Sequence, residues 1–267
     1  MKKVFFFDID GTLVDMVRGL KKPSIYTKYA IDELIKNGDL VFVATGRFIA
    51  NVPDSIKDLN PSGYILSNGA CIEYQGKQIY SSYFDNELFV KLKAYCDKCN
   101  SLLTGECQEF IYASIKDQRL HDYLTKWGFD YVEVKDEYKG INFNKCNIIF
   151  DTREDALKFE KDFKGLVDYR CHSADPKGVS YDVGLFGINK GTGVNKVIEL
   201  LNIDPNDTYC FCDGMNDFEL AKACKYSFVM NNGDKELKKI AYDIADDVLD
   251  EGIYKKLVEL KLINKME

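Results

Sequence analysis

The stretch Val4-Phe5-Phe6-Phe7-Asp8-Ile9-Asp10-Gly11-Thr12-Leu13-Val14-Asp15 decides how this chain is built. Val4 to Phe7 are apolar without alternation, the pattern of a strand buried on both faces in a parallel sheet. The run passes straight into Asp8 and Asp10, with Gly11 behind them. In an open α/β sheet, ligands bind outside the carboxyl ends of the strands, so acids at this tip are candidate functional residues. If the strand persists that far, its two-residue period points Asp8 and Asp10 the same way. Carboxylates so close raise each other's pKa unless a cation lies between them. Oxygen ligands of this kind suit Mg²⁺ beside a substrate phosphate. The alternative is that both acids only serve the turn, since Asp-Gly is a common turn pair.

The same plan recurs along the chain. Pro23-Ser24 opens a predicted helix with Tyr26, Ala30, Leu34 and Ile35 at helical spacing, and Asn37-Gly38 stops it. Residues 40–44 read as a second buried strand, tipped by Thr45-Gly46-Arg47. Thr45 offers a hydroxyl to an anion, or caps a helix starting near Phe48. Gly46 lets the backbone approach a ligand closely, and Arg47 is either a phosphate ligand or a solvated charge. Residues 63–66 predict a strand ending in Ser67-Asn68-Gly69-Ala70, with a hairpin after it around Gln75-Gly76. From about Tyr83 to Gly187 the pattern changes to helices at 86–97, 117–127 and 153–163 alternating with strands near 110–115, 131–134, 147–150, 166–172 and 179–185. No strand there ends in an acid pair of the first kind, which indicates a separate α+β layer. Lys190 then opens a helix between glycines, and residues 208–212 form a last buried strand tipped by Asp213-Gly214-Met215-Asn216-Asp217.

FDIDGTLVD resembles the first motif, hhhhDxDGT, of the haloacid dehalogenase-like phosphohydrolases. Thr45-Gly46-Arg47, the Ser67 to Ala70 turn and Lys190 resemble later motifs in the family's order. The fourth motif, GDGxNDxxM, is similar to Asp213 to Asp217, with Cys212 in place of the leading Gly and Leu220-Ala221 near the final Met. Residues 228–233 resemble the AMGNA stretch, and the second Asn of this chain's pair, Asn232, would close the metal-side loop; Asp246-Asp247 with Glu251-Gly252-Ile253 match the closing helix. The resemblance implies an α/β fold, a Rossmann-like doubly wound parallel-sheet core at residues 1–82 and 188–267. Residues 83–187 would be an inserted cap of the Cof-type branch (subclass IIB) that sets specificity. It implies Asp8 as nucleophile and Asp10 as general acid/base, with Thr45, Gly46, Arg47, Asn68, Lys190 and Asn216 around the phosphate and substrate. Mg²⁺ would be held by Asp8, the Asp10 main chain and Asp213, with Asp217 buttressing it. The activity implied is Mg²⁺-dependent hydrolysis of phosphate monoesters of small metabolites, sugar phosphates or phosphorylated cofactors, through an aspartyl-phosphate. A phosphomutase of the same superfamily and a non-catalytic ligand-binding protein are the alternatives. Asp175-Pro176-Lys177-Gly178 and Asp182 are candidate cap contacts to substrate.

The 267 residues suit two domains, and 46% hydrophobic with 30% charged residues suit a core under a soluble surface. A net charge of -7 argues against nucleic-acid or anionic-membrane partners, so an anionic substrate must be drawn in by a local cation. No apolar run approaches the ~20 residues of a membrane span, and Met1-Lys2-Lys3 leads directly into the first strand. Nine cysteines, an odd number, fit reduced thiols, and a cytoplasmic protein is expected. Cys96 and Cys99 have redox or zinc spacing, but no second pair accompanies them and the only histidines are His121 and His172.

Overall fold

The computed structural model describes residues 2–128, 131–175 and 178–266. The chain begins with β1 (Val4–Phe7), α1 (Ile25–Lys36), β2 (Leu40–Ala44), α2 (Asp54–Lys57), β3 (Gly63–Leu66), β4 (Cys71–Tyr74) and β5 (Lys77–Ser81). Next come α3 (Asn86–Lys98), β6 (Leu102–Glu106), β7 (Ile111–Ala113), α4 (Gln118–Trp127), β8 (Val134–Lys135), β9 (Lys145–Phe150), α5 (Arg153–Asp162), β10 (Val167–Asp175) and β11 (Gly178–Leu185). The last stretch holds α6 (Lys190–Leu201), β12 (Thr208–Cys212), α7 (Phe218–Ala223), β13 (Tyr226–Met230), α8 (Lys235–Lys238), β14 (Asp243–Ala245) and α9 (Gly252–Glu259). Two compact units result: Met1–Gly46, Val52–Tyr80 and Asn189–Glu267 in the larger, Arg47–Asn51 and Ser81–Ile188 in the smaller.

The larger unit is a doubly wound α/β layer. Its sheet runs β14-β13-β12-β1-β2-β3-β4-β5. The strands from β14 to β3 are parallel, and β4 is antiparallel to β3. Every residue of β1 is buried, as a strand covered on both faces requires. One face stacks Phe5 on Tyr209 and Phe7 on Phe211 across β1 and β12. The other sets Phe6 against Phe42 over Val194 and Val197 of α6. The chain winds outward from β1 to β2 and β3 on one side and from β12 to β13 and β14 on the other, so the switch point falls between β1 and β12.

Local signals fix several boundaries. Ser24 caps α1 by accepting from the Thr27 amide at 3.0 Å. After Thr45, however, no helix starts at Phe48: a 3₁₀ turn covers Ile49–Asn51, and α2 waits until Asp54. Pro53 stands just before α2 and biases Val52 away from helical backbone, which delays the start.

The smaller unit has a sheet in the order β10-β11-β9-β6-β7-β8, antiparallel except for β7 with β8. Phe89, Leu92 and Cys96 of α3 and Ala156 and Phe159 of α5 cover one face. On the opposite face, Leu120 and Tyr123 of α4 pack with Leu102, Ile111 and Phe48. The sequence pattern does not reveal β6, because Thr104-Gly105-Glu106 alternates poorly, and pairing with β7 and β9 supplies what propensity lacks. Glu106, Lys145 and Asp182 are buried together here, with Lys145 Nζ 3.2 Å from Glu106 and 3.1 Å from Asp182. Pro176 and Lys177 lie outside the described residues. All nine cysteines, Cys96 and Cys99 included, are unbridged. Among the described residues no helix is long and apolar enough to cross a membrane.

Candidate active site

Strand β1 stops at Phe7, sooner than a shared outlook for Asp8 and Asp10 requires. The Asp8 amide still donates to the Phe211 carbonyl at 3.0 Å, but the amides of Thr12, Leu13 and Val14 then converge on the Ile9 carbonyl. That tight turn leaves Asp8 buried at 4% exposure and Asp10 exposed. The condition for the two-residue period to align Asp8 and Asp10, a strand that reaches Asp10, is therefore not met. Gly11 makes the turn possible: its φ is +91°, and a Cβ there would meet Asp213 Oδ2 at 2.1 Å.

Lys190 enters from the first position of α6. Asn189 caps that helix, accepting from the Thr192 amide at 3.0 Å, while the Thr192 hydroxyl accepts from the Asn189 amide at 2.9 Å. The buried Lys190 Nζ donates to Asp8 Oδ1 at 2.5 Å and Asp217 Oδ1 at 2.6 Å. Asp217 Oδ2 in turn accepts from the amides of Asp213 and Gly214, at 3.4 and 3.2 Å. Asp217 is thus both a counter-ion to Lys190 and a brace for the loop after β12. The Thr12 hydroxyl donates to Asp213 Oδ1 at 3.3 Å, a link the sequence reading did not foresee although Thr12 belongs to the first motif.

Thr45, Gly46 and Asn68 form a second group, at the tips of β2 and β3. The Thr45 amide donates to Ile65 at 2.8 Å, its carbonyl accepts from the Asn68 amide at 3.0 Å, and its side chain is buried. Asn68 adopts φ 54°, and its side chain lies against Gly46. A Cβ on Gly69 would meet the Asn189 carbonyl at 2.1 Å, so this turn packs directly on the start of α6. Arg47 belongs to the smaller unit, where its guanidinium donates to the Asn51 carbonyl at 3.3 Å. Asn216 is exposed on the 3₁₀ turn Met215–Asp217. Asp182 sits in β11, paired with Lys145.

Burial, reinforced by Asp217, pushes the Asp8 carboxyl well above the ordinary aspartate range, against the pull of Lys190. Burial and then Asp217 likewise lift Asp213, to about 7. At Lys190 burial disfavours the charge, yet Asp217 and Asp8 outweigh it and hold the ammonium protonated. One ligand oxygen from each of Asp8, Asp213 and Asp217 lies within 4.8 Å of the others. Once ionised, as a bound cation would make them, the three carboxylates against one ammonium carry two net negative charges, the charge of one divalent cation, and an all-oxygen donor set is what Mg²⁺ takes. The residues therefore fit such an ion. Neither Cys96 nor Cys99 belongs to this group.

The family model for haloacid dehalogenase-like hydrolases matches residues 5–257. A Bacillus subtilis protein named "Putative phosphatase YkrA" is 27% identical over 266 residues, covering 98% of each chain. The solved structure of a hypothetical protein from Geobacillus kaustophilus HTA426 superposes with a TM-score of 0.88 at 28% identity, over 98% of this chain and 100% of its own. The subclass IIB sugar phosphatase BT4131 gives a TM-score of 0.80 at 22% identity, over 98% and 100%, a likeness of fold.

Proposed function

Because the chain belongs to the haloacid dehalogenase-like hydrolases and is a phosphatase of their Cof-type branch, we propose that it hydrolyses phosphate monoesters of small metabolites, sugar phosphates foremost. The observation that carries this reading is the buried Lys190 ammonium, held between Asp8 and Asp217 at the switch point of the sheet. A carboxylate nucleophile facing a dianionic ester needs such fixed positive charge.

Asp8 attacks phosphorus in line. Its Oδ–P bond forms as the bond to the leaving oxygen breaks, giving an aspartyl-phosphate. Asp10, exposed beside the turn, protonates the departing alkoxide and then takes a proton from the water that attacks phosphorus. The second displacement returns Asp8 as a carboxylate and releases phosphate. Lys190 fixes the Asp8 rotamer and offsets charge on the phosphoryl oxygens, and the Thr45 hydroxyl and the Gly46 backbone supply hydrogen bonds to them. Arg47, Asn68 and Asn216 bind the remainder of the substrate. Asp8, Asp213 and the Asp10 main-chain carbonyl would hold Mg²⁺, with Asp217 behind them; the ion, when bound, withdraws charge from the phosphoryl group. The smaller unit acts as the cap and selects the substrate, and the reaction belongs in the cytoplasm.

The test is phosphate release from a panel of phosphorylated metabolites with Mg²⁺, wild type beside Asp8→Asn. Release by wild type, lost in folded Asp8→Asn and in excess EDTA, is expected. Near-normal release by folded Asp8→Asn removes the nucleophile from the scheme. Full activity in EDTA removes the metal. Isomer formation without phosphate release identifies a mutase instead.

A further inference from the structure

We propose that Asn232 is a positioning residue that locks the turn after β1 against the loop after β12, so that Mg²⁺ affinity and turnover depend on a side chain outside the carboxylate cluster. The proposal rests on the hydrolase reading above. Asn232 lies just past β13, and both ends of its amide are engaged. Its Nδ2 donates to the Gly11 carbonyl at 2.7 Å, and its Oδ1 accepts from the Val248 amide at 3.0 Å. Two backbone groups of opposite polarity therefore fix the orientation of the amide. One side chain joins three segments: the turn after β1, its own loop and the 3₁₀ turn Val248–Asp250.

The neighbours of Asn232 hold the other acidic turn. The Asp234 amide donates to the Asp213 carbonyl at 2.7 Å, and a Cβ on Gly233 would meet that same carbonyl at 2.8 Å. One short loop thus grips the Asp8 turn through Gly11 and the Asp213 turn through its backbone. Gly11 is where such a grip matters. At φ +91° it has no side chain to resist rotation, and it lies flat against the Asp213 carboxylate. Turning the peptide that follows Gly11 would also carry away Thr12, whose hydroxyl donates to Asp213. The separation between the Asp8 and Asp213 carboxylates is accordingly set in part by Asn232. Its effect on the ion is that of the outer partners which orient metal ligands.

The discriminating variant is Asn232→Asp. It keeps the shape and the acceptor for the Val248 amide but turns a carboxylate oxygen toward the Gly11 carbonyl in place of the donor. We measure kcat, KM and the Mg²⁺ concentration for half-maximal rate, and separately the rise in melting temperature on adding Mg²⁺. Ser24→Ala, a destabilising change in α1, serves as the control for mere loss of stability. For Asn232→Asp, half-saturating Mg²⁺ rises and kcat falls, each by about 10–100-fold, while KM moves less than about twofold and the melting shift shrinks. Ser24→Ala lowers the melting temperature and leaves the Mg²⁺ response intact. An Asn232→Asp protein whose Mg²⁺ response and kcat stay within about twofold of wild type overturns the proposal, since such outer partners normally cost tenfold or more. Wild type with no Mg²⁺-dependent melting shift overturns it together with the metal reading. Should Asn232→Asp not fold, Asn232→Ala carries the same test.

Discussion

At the scale of single residues the site is a problem in charge. Lys190 is 1% exposed, and its ammonium is held by Asp8 and Asp217. Removing it leaves two buried carboxylates with no counter-charge, and breaking a buried ion pair from one side costs about 3–5 kcal/mol. Lys190→Met is therefore expected to lose roughly that much stability near neutral pH in EDTA, read from denaturant melts, and to lose phosphate release. Unchanged stability would mean that the carboxylates are relieved in some other way. The acids themselves were legible, because Asp8 and Asp213 each end an apolar run and Asp217 closes the turn after Asp213. Their pairing was not. No local pattern shows that Lys190 meets Asp8 on one side and Asp217 on the other, while Asp10 is exposed.

At the scale of elements, local chemistry explains most boundaries and a few need the neighbours. Ser24 caps α1 through the Thr27 amide, and its hydroxyl also donates to Glu251 at the foot of α9. Ser24→Ala is expected to lower stability by about 1–2 kcal/mol, measured by urea unfolding, with kcat unchanged because the Ser24 hydroxyl bonds to Thr27 and Glu251 and not to the acids around Asp8. A loss of kcat without a loss of stability would contradict that account. The start of α1 could be read from Pro23-Ser24 alone, and its end from Asn37-Gly38. Strand β6 could not be read so, because the residues that pair with it come from β7 and β9. The segment after Thr45 misled in the opposite way: its apolar residues suit a helix, but Pro53 sets the helix start further on.

At the scale of the whole molecule the two units carry separate buried charges. In the smaller one, Tyr123 donates to Glu106 at 2.9 Å, Asn147 donates to it as well, and Lys145 bridges it to Asp182. Burial, the largest influence, raises the Glu106 carboxyl above its ordinary value despite Lys145. The folded chain thus holds that proton more tightly than the unfolded one. The stabilisation is fully present below the ordinary value of 4.5 and is lost as pH rises through the raised one. Glutamine does not titrate, so the melting temperature of Glu106→Gln relative to wild type should climb as pH rises from the ordinary value of 4.5 through the range where Glu106 ionises. A relative value that falls over that range would reverse the assignment. The sequence by itself determined that apolar strands end in acids, a hydroxyl and a lysine in a set order, and that a different pattern interrupts them. Those signals are local: hydrophobic runs, turn formers and short motifs. Only the tertiary structure decided which of these groups meet. Thr12 and Asp213, 201 residues apart, touch because β1 and β12 lie side by side at the point where the sheet reverses its winding. Strand pairing at such separations depends on the packing of both faces of the sheet and leaves no mark within any one segment.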